Sequence, residues 1–179
     1  MQDHVIPAYT VTARIFHWVT AVLVLSMIPF GIIMVQLDSG PTQNLLFNLH
    51  RSIGAVLLPI VIVRLIYRIK HPPLPLPESI PMLQRGVAHT VHWSLYLLLI
   101  VQPLIGWIAT SAYGAQITVF WLFTLPAIAA KNEALANTLF PLHQLIGIVI
   151  ALLVCAHIGG ALFHHFIQRD RTLMRMITG

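Results

Sequence analysis

The chain has 179 residues, 58% hydrophobic and 8% charged, with a mean hydropathy of +0.84. Such a chain is too apolar for an ordinary soluble domain and reads as an integral membrane protein with a single domain over residues 1–179. One cysteine, Cys155, excludes an intrachain disulfide, and the absence of C-x-x-C-H excludes covalent c-type haem attachment.

Four apolar runs are long enough to cross about 30 Å of hydrocarbon, which takes roughly 20 residues. They lie at about 15–37, 49–69, 90–112 and 141–167. They predict an all-α fold, an integral membrane four-helix bundle. The first run is longer than the apolar part of a secretory leader and is followed by no small-residue cleavage site, so it reads as a span. Between the second and third runs, KHPPLPLPESIP (70–81) holds five of the twelve prolines and reads as an extended linker. VFWLFTLPAIAA (119–130) is apolar but too short to span, and reads as lying on or dipping into the outer surface. Pro29, Pro59 and Pro103 fall inside spans, where kinks are tolerated.

The net charge of +5 is a matter of topology. Arg14 precedes the first span. Arg64, Arg68, Lys70 and Arg85 lie at or between the ends of the second and third, and Arg169, Arg171 and Arg175 follow the fourth. The other side has Arg51 and Lys131. Eight of ten basic residues on one side predict that both termini and the proline linker are cytoplasmic. The basic excess then faces anionic lipid, and with no soluble basic domain a nucleic-acid role is excluded.

In that topology each histidine acquires a depth. His17 opens the first span on the inner side, and His50 opens the second on the outer side. His143 opens the fourth span on the outer side, and His157 follows fourteen residues later, roughly 21 Å along the axis. Fourteen residues come within about 40° of a whole number of turns, so His143 and His157 share a face. Two imidazoles at each of two depths suit two stacked bis-histidine haems, which need two axial ligands each. Arg64, fourteen residues after His50, falls near the inner level, where it could pair with a propionate. HRSIG (50–54) and HQLIG (143–147) place Gly54 and Gly147 one turn below a histidine. There they either clear space for a flat macrocycle or let helices approach. A lone histidine at a span end is more often an interfacial residue than a ligand, but two matched pairs are harder to dismiss. Other metals are disfavoured, because Asp3, Asp38, Glu78, Glu133 and Asp170 all lie outside the spans or at their ends.

RIFHW, LHRSIG, PLH with the histidine of CAH fourteen residues on, ALFHHF and RDRTLMRM together resemble the bacterial cytochrome b561 family of small di-haem membrane cytochromes, over essentially the whole chain. The resemblance implies two non-covalent haem b groups, with His17 and His157 as ligands of the inner haem iron and His50 and His143 of the outer. It also implies a place in the bacterial inner membrane and electron exchange with quinone. One kind of relative oxidises superoxide at the outer face and reduces ubiquinone, which would make the chain a superoxide:quinone oxidoreductase. A periplasmic donor is the other option. Related subunits of nickel–iron hydrogenases and formate dehydrogenases anchor a catalytic partner; they are usually longer, so the stand-alone form is favoured. A haem-free metal transporter or channel is the third reading, and it would want buried carboxylates.

His164 is the candidate proton-handling residue at the quinone site, near the inner level and able to titrate near neutral pH; binding a propionate or lipid head group is its alternative. His89 and His92 could share that role or sit at the interface beside Trp93. Trp18, Trp93 and Trp107 read as belt and core aromatics. Arg51 and Lys131 could draw an anion to the outer face.

Overall fold

Thr10 starts the first helix: its hydroxyl accepts from the Ala13 amide at 3.2 Å, and α1 runs from Val11 to Met34. Pro41, in the first turn where its missing N–H costs nothing, opens α2 (Pro41–Lys70). The third helix, α3 (Met82–Tyr113), stops at Gly114, whose φ of 87° is left-handed. Asn132 caps α4 (Glu133–Phe163) by accepting from the Leu135 amide at 3.0 Å, with Glu133 in the first turn. The computed structural model describes residues 9–72 and 80–178; most of the proline linker, with Asp3, His4 and Glu78, lies outside the described residues.

All four helices are long and apolar enough to cross a membrane, and the protein is the expected membrane helical bundle. The helices α2, α3 and α4 begin about eight residues before the apolar runs do, because their first turns are polar and set by caps and prolines rather than by hydropathy. In space α1 packs along α2, α2 against α3, and α3 along α4. Outward faces carry large apolar side chains such as Leu145, Ile148 and Leu152, which is the surface that lipid covers. Cys155 is also on an exposed face.

The core has a layered logic. Val24, Leu57, Leu99 and Ile150, one from each helix, meet in one buried cluster with Val61 and Tyr96. Each sits seven residues from a chemically special residue on either side: His17 and Gly31, His50 and Arg64, His92 and Gly106, His143 and His157. A seven-residue step stays on one face of a helix, so the four stripes turn the same three levels toward the bundle axis.

Two features outside the helices were not anticipated. Overlapping the start of the segment expected to lie on the outer surface (119–130), β1 (Ile117–Val119) and β2 (Phe123–Leu125) form an antiparallel hairpin with Val119 opposite Phe123. At the other end, α4 widens into a π-helical turn over His164–Gln168. Arg169 then adopts left-handed backbone (φ 55°) and the chain folds back into the short helix α5 (Met174–Ile177). Trp18 Nε1 donates to the Met176 carbonyl at 3.1 Å and pins that return against α1.

Candidate functional site

One level, the one expected to be outer and named so, joins His50 of α2 and His143 of α4, whose ring centroids are 6.1 Å apart. Both Nδ1 atoms are buried without a well-aligned hydrogen bond, though backbone groups of Met27 on α1 and Gln102 on α3 lie against the two rings. A buried polar atom without a partner carries a desolvation cost and calls for an explanation. The residues facing these rings are glycines on the other two helices. A Cβ built on Gly31 of α1 would stand 3.2 Å from His50 Cε1, and one on Gly106 of α3 would stand 3.0 Å from His143 Cε1. Any side chain there would crowd an imidazole. Gln102 Nε2 donates to the His143 carbonyl at 2.7 Å and ties α3 to α4 beside the pair.

The inner level joins His17 of α1 and His157 of α4, with centroids 6.0 Å apart. Here the other two helices contribute polar side chains where the outer level has glycines. Arg64 of α2 donates from Nη2 to His17 Nδ1 at 2.9 Å, and its guanidinium lies 5.2 Å from the Tyr96 ring centroid. Arg68 stands over the same ring at 5.5 Å. His92 of α3 brings a third imidazole, its centroid 5.0 Å from that of His157, and its Nδ1 donates to the Ala88 carbonyl at 2.6 Å. The inner level is thus more polar and more cationic than the outer.

Gly54 and Gly147 lie elsewhere. A Cβ on Gly54 would meet Met27 Cε at 3.4 Å, and one on Gly147 would meet Gln102 Nε2 at 3.3 Å. Both sit where neighbouring helices approach closely. The glycines in contact with the imidazoles, Gly31 and Gly106, carry no local motif. What marks them is their place in the stripes: Gly31 is fourteen residues from His17, and Gly106 fourteen from His92.

His164, in the π-helical turn, donates from Nδ1 to Asp170 Oδ2 at 2.5 Å. The other carboxylate oxygen, Oδ1, accepts from the Thr172 amide at 2.8 Å, and the Asp170 amide donates to the His164 carbonyl at 3.1 Å. Burial pushes the Asp170 carboxyl up, but the hydrogen bonds from Thr172 and His164 outweigh it and hold the group below the ordinary carboxylate value. With Nδ1 committed to a carboxylate, Nε2 of His164 is the acceptor.

The remaining histidines make local contacts. His89 accepts from Trp93 Nε1 at 2.9 Å, His71 stacks on Tyr67 at 4.2 Å, and His165 packs edge-on to Phe166. Trp107 Nε1 donates to the Pro126 carbonyl at 3.0 Å and holds the outer loop. Arg51 reaches the carbonyls of Phe47 and Gln116, at 3.2 and 3.0 Å, and the Lys131 chain lies against Gly114. Among the described residues no cluster of three or more His, Cys, Asp or Glu could hold a metal ion, so the paired imidazoles are the metal-binding chemistry on offer.

Comparison with known proteins agrees in one direction. The family model described as prokaryotic cytochrome b561 matches residues 8–179. The chain is 37% identical over 171 residues to cytochrome b561 homolog 2 of Escherichia coli, covering 94% of this chain and 90% of that protein. It is 33% identical over 130 residues to the probable superoxide oxidase CybB of Yersinia pestis, covering 72% and 73% of the two chains. It is 27% identical over 170 residues to cytochrome b561 homolog 1 of Escherichia coli, covering 94% and 96%.

Proposed function

The chain belongs to the prokaryotic cytochrome b561 family of membrane b-type cytochromes, and from that premise we propose that it moves electrons from an outer-face donor to ubiquinone through two haem groups. His50 and His143 hold the outer one; His17 and His157 hold the inner one. The observation that carries this reading is the pair of matched distances, 6.1 and 6.0 Å. A spacing of that size would let the two imidazoles of each level hold one haem iron between them. The glycines that keep those rings clear of side chains fit the same occupant. Haem b, when bound, supplies a one-electron carrier at each level.

The chain's own residues do the rest. With both imidazoles of a level committed to one haem, the group would serve electron transfer rather than substrate binding. The apolar layer of Val24, Leu57, Leu99 and Ile150 keeps water out between the levels. Arg64 and Arg68 supply positive charge at the inner level, where they favour an arriving electron and offer a partner to a propionate. Ubiquinone needs two protons with its two electrons. His164, oriented by Asp170, hands on protons from its Nε2 at the cytoplasmic end. With superoxide as donor, two anions each give up one electron and leave as oxygen, and quinone leaves as quinol. The named activity of the Yersinia pestis relative supports that donor class. The basic residues on one side support a bacterial inner-membrane orientation with both termini in the cytoplasm.

The purified protein should carry two non-covalent low-spin haems per chain, read from a haem count and a reduced-minus-oxidised spectrum. Absence of haem after expression with ample supply would overturn the proposal. Asp170→Asn should slow quinone reduction without slowing reduction of the haems by a donor, and His164→Ala should slow it further, on the order of 100-fold. Because the folded carboxyl lies below its ordinary value, the tie to His164 holds at neutral pH and is lost as pH falls through the lowered value. Asp170→Asn at neutral pH should therefore reproduce what acid does to the parent protein. Equal quinone kinetics in Asp170→Asn and parent would remove Asp170 from the mechanism.

A further inference from the structure

The outer hairpin turns on Phe120 and Trp121, and both have positive φ, 46° and 61°. The Leu122 amide closes the turn onto the Val119 carbonyl at 2.9 Å. Residues 120–122 join the paired strands, and the two consecutive left-handed residues closed by that bond have the φ pattern of a type I′ turn, the geometry that selects Asn-Gly. Two bulky aromatics are among the costlier choices for that backbone. A strained turn persists when its surroundings over-determine it, and here they do. Ser52 of α2, wholly buried, accepts from the Phe120 amide at 2.8 Å and donates to the Thr118 carbonyl at 3.2 Å. Arg51 holds the Gln116 carbonyl, and the inward side chains of β1, Ile117 and Val119, are buried. The tip, in contrast, is bare: Trp121, Leu122 and Phe123 are 59, 81 and 56% exposed.

The anchor on Ser52 gives the tip a depth. Ser52 lies eleven residues into α2, roughly 16 Å inward from its outer end. It is also where α2 changes character: Gln43, Asn44, Asn48 and Arg51 precede it, and an unbroken apolar run from Ile53 to Val63 follows. That change marks the border between head groups and hydrocarbon. Trp and aromatic side chains favour this border, and exposed apolar groups beside a lipid-covered bundle continue its apolar belt.

We propose that the Phe120–Phe123 tip is a membrane-interface anchor, seated at the head group–acyl boundary of the outer leaflet, and that the strain of the turn is kept because it aims these side chains into lipid. The anchor needs the membrane bundle but not the haem pairing, so either idea can fail alone. The test is a nitroxide on Leu122→Cys in a Cys155→Ser background, in vesicles of phosphatidylcholine and phosphatidylglycerol. Oxygen, which partitions into lipid, should relax the label more than a water-soluble nickel chelate does. Phe123→Cys supplies a second position, and each labelled protein is first checked for the parent's visible spectrum and helicity. Stronger relaxation by the chelate at both positions would put the tip in water and overturn the anchor, leaving a surface for a soluble partner.

Discussion

Replacing His143 or His50 with alanine should remove the same haem, and each variant should keep half of the parent's haem content. The two ring centroids lie 6.1 Å apart, so either substitution would leave a single imidazole on a non-covalent group. The pair at His17 and His157 should stay loaded, because the buried layer of Val24, Leu57, Leu99 and Ile150 lies between the levels along each helix and the two levels share no ligand. The double variant should lose no more than either single one, the non-additivity expected of residues that act as a unit. Haem stoichiometry with low-temperature difference spectra reads this directly. If His143→Ala instead removed the haem held by His157, the assignment by depth would be wrong. Removing the inner pair should differ in one respect. His92 stands 5.0 Å from His157, so a third imidazole is at hand, and His17→Ala should lose its haem less completely than His50→Ala.

Much of this arrangement was legible in the sequence, for an identifiable reason. A membrane span writes itself as an apolar run, and a ligand inside one is conspicuous because ionisable groups are rare there. The fourteen-residue step from His143 to His157 and from His50 to Arg64 therefore carries depth and face in the sequence itself. The same arithmetic applies to α1 and α3, but there each stripe ends in a glycine. His17–Val24–Gly31 and His92–Leu99–Gly106 have the spacing of the other two, yet glycine announces nothing in a span, where it is common. Hence a local repeat marks Gly54 and Gly147, and no local motif marks the glycines against the rings.

Other elements were not legible because they depend on irregular backbone. Asp170 lies six residues after His164, a separation that no regular helix brings together. A π-helical turn followed by left-handed Arg169 closes that gap. Such turns recur at functional sites, and nothing in HHFIQRD signals one. The hairpin fails differently. Its turn has Phe-Trp where a reader looks for Asn-Gly, and its stability comes from Ser52, far away in sequence. The same fact makes the segment informative, since local preference is overridden where a distant contact decides.

The stripe geometry makes a sharper claim than the ligands themselves: space beside an imidazole is as much a requirement as the imidazole. At Gly106 an added Cβ would stand 3.0 Å from His143 Cε1, so Gly106→Ala should push that ring by a few tenths of an ångström. The outer haem should bind with a shifted potential and altered low-spin signal while the inner one is unchanged. Gly106→Leu cannot be absorbed that way, because the side chain would take the volume the ring occupies in a close-packed interior. It should lose the outer haem as completely as His143→Ala does, with all four histidines intact. Gly159 and Gly160 are the controls. Nothing lies within 4 Å of a Cβ on either, so alanine there should leave both haems untouched. It should also stabilise α4 by about 0.5–1 kcal/mol through lost backbone freedom in the unfolded chain. Full retention of the outer haem in Gly106→Leu would mean that His143 is not held where its ligand role requires, and the assignment of the outer level would have to be withdrawn.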